Sequence, residues 1–260
     1  MLVQRTLTNS INAVGIGLHS GREISIKLLP AEEDTGIIFR RVDISPPVEI
    51  KAIVNNVGAT TLATTLIQGE VQISTIEHML SAFAGLGIDN AIIEIDDVEV
   101  PIMDGSSSSF VFLIQSAGIK EQTKPKKFIK IKEEISIETD NGAFVKLSPY
   151  DGFKVTYSLV YDDDKHKQYS SKSTIDFNST TYLKEISRAR TFGFMEEVNM
   201  LKEKNLALGA SEKNAIAIGE DGIINEEGLR SKDEFVKHKI LDVVGDLYLL
   251  QYNIIGEFEG

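Results

Sequence analysis

The sequence predicts an α+β protein built from two halves that look alike, a duplicated α+β unit. Three observations carry that expectation. Residues 23–29, Glu-Ile-Ser-Ile-Lys-Leu-Leu, alternate apolar and polar as a half-buried strand does, and they end at Pro30. The stretch Ser25-Ile26-Lys27-Leu28-Leu29-Pro30 is echoed by Phe144-Val145-Lys146-Leu147-Ser148-Pro149. Each copy runs through a turn into a second strand, at 36–41 or 153–160, as a duplicated unit would. Other windows repeat their apolar residues at a helical period, at about 75–85, 107–117, 181–189, 196–204 and 233–250. Further strands are expected at 49–55, 60–67, 91–96, 127–138 and 214–218. The polar, proline-containing stretch KEQTKPKK at 120–127 reads as a linker. It divides the chain into a first domain, 1–122, and a second, 123–260.

With 260 residues, 42% of them hydrophobic and 25% charged, the chain can bury a substantial core. No run of 18 or more apolar residues suggests a membrane span, and the start, MLVQRTLTNS, lacks the pattern of a signal peptide. A cytoplasmic location is expected. The absence of cysteine excludes disulfides and thiolate metal sites, so a bound metal must use His, Asp or Glu. A net charge of −12 argues against a general nucleic-acid binder and leaves a small molecule as the expected partner.

The second half is longer between its strands and its last helix. An insert at about 192–223 carries Phe192, Phe194, Met195, Leu201, Leu206, Leu208 and Ile216, more apolar side chains than a surface excursion shows. Two readings stand: a small satellite core, or an apolar wall for a greasy ligand.

The chemistry concentrates on two helices. In STIEHML, Ser74 and Glu77 have the spacing of a capping box, which gives Glu77 a structural reading. Ile76, Met79, Leu80 and Phe83 form the core stripe of that helix, and His78 points the other way, beside Ser81 and Ala82. On the last helix, His238, Asp242 and Asp246 recur every four residues opposite an apolar face of Val236, Ile240, Val243, Val244, Leu247 and Tyr248, with Gly245 beside them. Side chains four apart stack on one face, and the like charges Asp242 and Asp246 are unfavourable there without a nearby cation. His78, His238 and Asp242 then supply three N/O ligands, with Glu77 adjacent to take a proton from water. Three ligands and an open position suit catalytic zinc, but two histidines and a carboxylate also suit non-haem iron.

The stretches QRTLTNSINAVGIGLHSG, STIEHMLSAFAGLGIDN, VPIMDGSSSSF, ISRARTFGFM and DEFVKHKILDVVGDLYLLQYNIIG occur in that order over nearly the whole chain. Together they resemble the UDP-3-O-acyl-N-acetylglucosamine deacetylases, the zinc enzymes of lipid A biosynthesis in Gram-negative bacteria. The resemblance implies two similar α+β domains, each a sheet with packed helices, around Zn2+ held between them by His78, His238 and Asp242, with Glu77 as general base against the N-acetyl carbonyl. It implies that the Thr191 hydroxyl stabilises the oxyanion and that the insert forms a passage for the substrate's acyl chain, with Met195, Ala215 and Ile216 in it and Leu18 near its mouth. Phe192 and Lys239 match positions that contact the sugar and diphosphate of the UDP-linked substrate. Asp246 resembles a supporting catalytic carboxylate, and Asp104 and His19 resemble lesser members of the site.

One departure accompanies the match. Family members carry a further Gly-His pair whose imidazole partners the aspartate at the Asp246 position; the sequence given ends at Gly260, and His166, in YDDDKHKQ, reads as solvated. The expectations are therefore an Asp246 without its partner, slower turnover, and exposed apolar surface on the second domain where a last strand and helix are missing. The alternative to an enzyme is a relative that binds zinc and the lipid-nucleotide without catalysis.

Overall fold

The computed structural model describes residues 2–260. Two mixed sheets organise them. In the first, the strands lie in the order Ile11–Ile16, Glu23–Pro30, Ala91–Ile95, Ile37–Arg41 and Val48–Lys51. In the second, the order is Ile135–Glu138, Phe144–Ser148, Asn253–Glu259, Phe153–Leu159 and Ser171–Asp176, and Phe128–Lys130 adds to the start of the middle strand. Each middle strand comes last in its unit. Ala91–Ile95 runs antiparallel to Glu23–Pro30 and parallel to Ile37–Arg41; Asn253–Glu259 runs antiparallel to Phe144–Ser148 and parallel to Phe153–Leu159. The six-residue echo thus falls on equivalent strands.

A parallel neighbour needs a crossover, and a helix commonly supplies it. Here the crossovers contain the helices Glu77–Leu86 and Glu234–Leu247, which pack directly on each other between the two sheets. Every residue of Glu77–Leu86 is buried, because the sheet, the helix Ser108–Ala117 and the partner helix cover it on all sides. Ile76, Met79, Leu80 and Phe83 join Ile240, Leu241 and Val244 in one continuous core. The helix stops at Gly87, whose φ of 67° lets its N–H turn back onto the carbonyls of Phe83 and Ala84.

Several local expectations change. The stretch read as a linker is a strand, Ile119–Pro125, antiparallel to Val3–Leu7. Its polar side chains face solvent, so only the backbone pairing reveals it. The strand expected at 60–67 begins only at Leu66, in Leu66–Gln68; before it the Thr65 N–H closes a loop onto the Ala59 carbonyl, and the Thr64 N–H goes to a carboxylate of Glu77. The expected strand 127–138 splits into Phe128–Lys130 and Ile135–Glu138, which pair with different partners. The 181–189 helix is a short turn, Ser179–Thr181, followed by a widened π-type turn at Tyr182–Ile186. The Tyr182 ring fills the space that a side chain at Gly85 would occupy, and its hydroxyl bonds Ser107 Oγ and Ser81 Oγ.

The insert folds as the helix Met195–Glu203 and a small sheet of Phe192–Phe194, Ile216–Gly219 and Gly222–Ile223. Phe194, Ile216 and Ile218 form a satellite core with Phe235. His166 is not simply solvated: its half-buried ring packs 3.9 Å from the Phe194 ring, centroid to centroid. Ile135, Ile137, Phe144 and Val145, on the first two strands of the second sheet, are exposed.

Candidate metal centre

The two crossover helices come close where Gly245 faces the start of Glu77–Leu86. A Cβ at Gly245 would collide with the Glu77 carbonyl and lie 3.1 Å from the Ser81 nitrogen. Removing that carbon lets the backbones approach, and it brings the His78 and His238 rings to 4.9 Å between centroids, nearly perpendicular at 82°. Asp242, one turn beyond His238, places Oδ1 3.5 Å from Nε2 of both histidines. Two ligands of one tetrahedral ion, each about 2.0–2.2 Å from it, are separated by about 3.3–3.6 Å. Asp242 Oδ1 has that spacing to each histidine, and all three ligand atoms lie within 4.8 Å of one another.

Their hydrogen bonds leave the ligand atoms free. Asp242 Oδ2 accepts from Lys239 Nζ at 3.1 Å, whereas Oδ1 is buried with no hydrogen-bond partner among the described residues. Assigned as Nδ1–H, His238 donates to the Ala189 carbonyl at 3.1 Å, which leaves the Nε2 lone pair facing Asp242. Burial pushes the His238 imidazole down to about 4, so it is neutral, the form that binds metal. Burial alone would raise Asp242, but the neighbouring His238 imidazole, the Lys239 ammonium and the His78 imidazole outweigh it and hold the carboxyl far below its usual range. For His78, burial opposes the charged form and Asp242 overrides it, raising the imidazole. A divalent cation at this point would compensate the Asp242 carboxylate. A buried, unpartnered carboxylate oxygen between two imidazole nitrogens fits a metal ion.

Glu77 is not a helix cap. No side chain caps the helix, Ser74 Oγ bonds the Val98 carbonyl, and Glu77 Oε2 accepts the Thr64 N–H at 3.1 Å. Desolvation by the surrounding protein pushes Glu77 up to about 7; His78 opposes this, while Asp242 and Asp246 reinforce it. A carboxyl that ionises near neutrality is suited to exchanging protons. Asp246 accepts from a hydroxyl rather than an imidazole: Thr64 Oγ1 donates to its Oδ1 at 2.8 Å. The residue as a whole keeps solvent contact, but partial desolvation of its carboxyl pushes it up to about 6. Thr64 therefore holds both carboxylates, and nothing in the sequence pattern singled it out.

Comparison with known proteins places this geometry. Residues 4–260 match the family model described as LpxC, UDP-3-O-acyl N-acetylglycosamine deacetylase. A protein of Pseudomonas entomophila (strain L48) named UDP-3-O-acyl-N-acetylglucosamine deacetylase is 56% identical over 260 residues, covering 100% of this chain and 86% of that protein. One of the same name from Cellvibrio japonicus (strain Ueda107) is 54% identical over 258 residues, covering 99% of this chain and 85% of its own length. The chain belongs to the UDP-3-O-acyl N-acetylglycosamine deacetylase family. Its match to that family spans all the residues of the centre, from Thr64 to Asp246.

The other residues singled out in this deacetylase-family chain lie around the donors and the insert. Phe192 and Lys239 stand beside the donors: the Phe192 ring is 6.2 Å from that of His238, and Lys239 Nζ is 5.5 Å above the Phe192 ring. Thr191 is tied into the second half by its carbonyl, which accepts from Ile216, and to the first by its N–H, which donates to the Gly105 carbonyl. Met195, Ala215 and Ile216 line a cavity of about 350 Å³ under the insert, together with Gly193 and Val198. The insert thus has both a satellite core and a mostly apolar cavity. Leu18 is not part of that lining; its carbonyl takes the N–H of Gly209 at the edge of the insert. Asp104 and His19 stand outside the cluster of donors. The Asp104 carboxylate gathers the hydroxyls of Ser106, Ser108 and Ser109 and the Arg230 guanidinium, and the His19 backbone N–H is held by Glu99.

Proposed function

We infer that this chain is a zinc-dependent hydrolase that removes the N-acetyl group from UDP-3-O-(3-hydroxyacyl)-N-acetylglucosamine, giving the free amine and acetate, the committed step of lipid A biosynthesis. The observation that carries the metal centre is the buried, unpartnered Oδ1 of Asp242 between Nε2 of His78 and Nε2 of His238. Both relatives are named as deacetylases, so a binder without catalysis is not favoured.

His78, His238 and Asp242 would hold the zinc, whose Lewis acidity lowers the pKa of water from 15.7 to about 7. Glu77, buried beside the donors, accepts the proton of the attacking water. The Thr191 hydroxyl donates to the oxygen of the acetyl carbonyl as negative charge develops there. Asp246 lies beside the donors and is oriented by Thr64. Lys239 and Phe192 meet the diphosphate and the sugar, and the cavity lined by Met195, Ala215 and Ile216 takes the acyl chain, with Leu18 at its approach. The division into two halves, at residues 122 and 123, belongs to the same proposal; the shared strand order of the two sheets supports two halves, and the strand Ile119–Pro125 runs across the boundary.

The proposed site of action is the cytoplasm; no helix among the described residues is long and apolar enough to cross a membrane. The net charge of −12 argues against nucleic acid as a partner. The test is metal analysis with an acetate-release assay on wild type and Glu77→Gln. Wild type should carry about one zinc per chain and release acetate, and Glu77→Gln should keep the zinc and lose most turnover. Wild-type turnover in Glu77→Gln would remove its role.

A further inference from the structure

One turn before His238, the same helix carries Glu234, which has no exposed surface and lies outside the cluster of metal donors. Its Oε1 accepts the backbone N–H of Arg190 at 3.0 Å and Arg190 Nε at 2.9 Å; its Oε2 accepts Arg190 Nη2 at 3.2 Å and the backbone N–H of Arg230 at 2.6 Å. Arg190 is itself 1% exposed and bonds the Gly228 carbonyl and Glu227. The peptide joining Ala189 to Arg190 is therefore held at both ends. Its N–H points to Glu234, and its C=O accepts from His238 Nδ1, four residues further along the helix. Thr191 and Phe192 follow immediately in the chain.

We propose that Glu234 is a positioning residue for the metal centre, acting through the Ala189–Arg190 peptide on His238. The inference rests on the reading of His238 as a metal ligand. A carboxylate that accepts the peptide N–H polarises the amide, so its carbonyl becomes a better acceptor for Nδ1–H. That bond fixes the tautomer, aims Nε2 at the metal and makes the imidazole a better donor. Because Glu234 and His238 share one helix, the peptide is indexed to the ligand by a rigid element, and the segment carrying Thr191 and Phe192 is set with it. Arg190 neutralises the buried carboxylate, which would otherwise be costly in the interior.

The test is the zinc affinity of the full chain, measured by competition with a chromophoric chelator, for wild type, Glu234→Gln, Arg190→Lys and Asp242→Ala. Glu234→Gln should weaken zinc binding by about 10–100-fold, the usual effect of losing an outer partner of a ligand. Arg190→Lys keeps the backbone N–H and should weaken it less. Wild-type affinity in a folded Glu234→Gln protein, or a larger loss in Arg190→Lys, overturns the proposal. If Glu234→Gln cannot be isolated folded, nitrogen NMR of metal-free wild type decides: His238 should be the Nδ1-protonated tautomer, and a mixture of tautomers contradicts the inference. Unchanged zinc binding in Asp242→Ala would instead defeat the metal reading itself, which keeps the two failures apart.

Discussion

The two crossover helices occupy the same place in two sheets of the same strand order, yet their surroundings differ. Glu77–Leu86 is buried on every residue and offers the centre His78 and Glu77 from its first turn. Glu234–Leu247 buries His238 with most of its length but leaves Lys239 and Asp242 half-buried and Asp246 exposed. The first sheet also has the helix Ser108–Ala117 in its core, whereas Ile135, Ile137, Phe144 and Val145 of the second are exposed, and only the second is followed by an insert with a cavity. A repeated fold has thus supplied the frame, two helices meeting across a shared core. The chemistry comes from what the repeats do not share.

Breaking the second helix should have the largest effect. Asp242→Ala removes a proposed ligand and leaves two histidines facing each other, so zinc binding should fall by more than the about 10–100-fold typical of losing a supporting bond, and turnover should fall with it; chelator competition and acetate release measure both. Glu77→Gln, in the first helix, should keep the metal and lose about 10²–10⁴ in turnover, seen as a drop in kcat.

The same substitution separates the effect of Glu77 on stability from its proposed catalytic role. Glu77 ionises near 7 in the fold against an ordinary 4.5, a raised value. Its contribution to stability is therefore intact below about pH 4.5 and is lost as the pH rises through 7. Metal-free Glu77→Gln should match wild type at about pH 4 and exceed its unfolding free energy at about pH 8 by on the order of 3 kcal/mol, read from urea denaturation. Gly245→Ala probes the contact between the halves. The added carbon meets backbone, so stability should fall by about 1–3 kcal/mol and zinc affinity should fall with it. The smallest effect should come from Ile26→Val in the first sheet, about 0.5–1.5 kcal/mol in stability with zinc binding unchanged.

Much of this arrangement was legible in the sequence because it is periodic. The echo at 25–30 and 144–149 marks equivalent strands, and the four-residue spacing of His238, Asp242 and Asp246 marks one face of a helix. His78 stood out because it lay off the core stripe of its helix. Features set by long-range backbone partners were not legible. The strand Ile119–Pro125 has a linker's composition, and Ser74 with Glu77 has a cap's spacing, but pairing with Val3–Leu7 and with the Thr64 N–H decides each case. Thr64 reaches Asp246 across 182 positions of sequence, and no local pattern encodes such a contact. Glu234 likewise reads as an ordinary acidic residue at a helix start until the Ala189–Arg190 peptide is placed against it.

The claim that one metal ion bridges the two helices is tested most directly by anomalous diffraction at the zinc edge from crystals of the zinc-loaded protein. The expected result is a single strong peak about 2.0–2.2 Å from His78 Nε2, His238 Nε2 and Asp242 Oδ1, lost in Asp242→Ala. A peak elsewhere, or acetate release undiminished in a protein with no ion at that position, would contradict it.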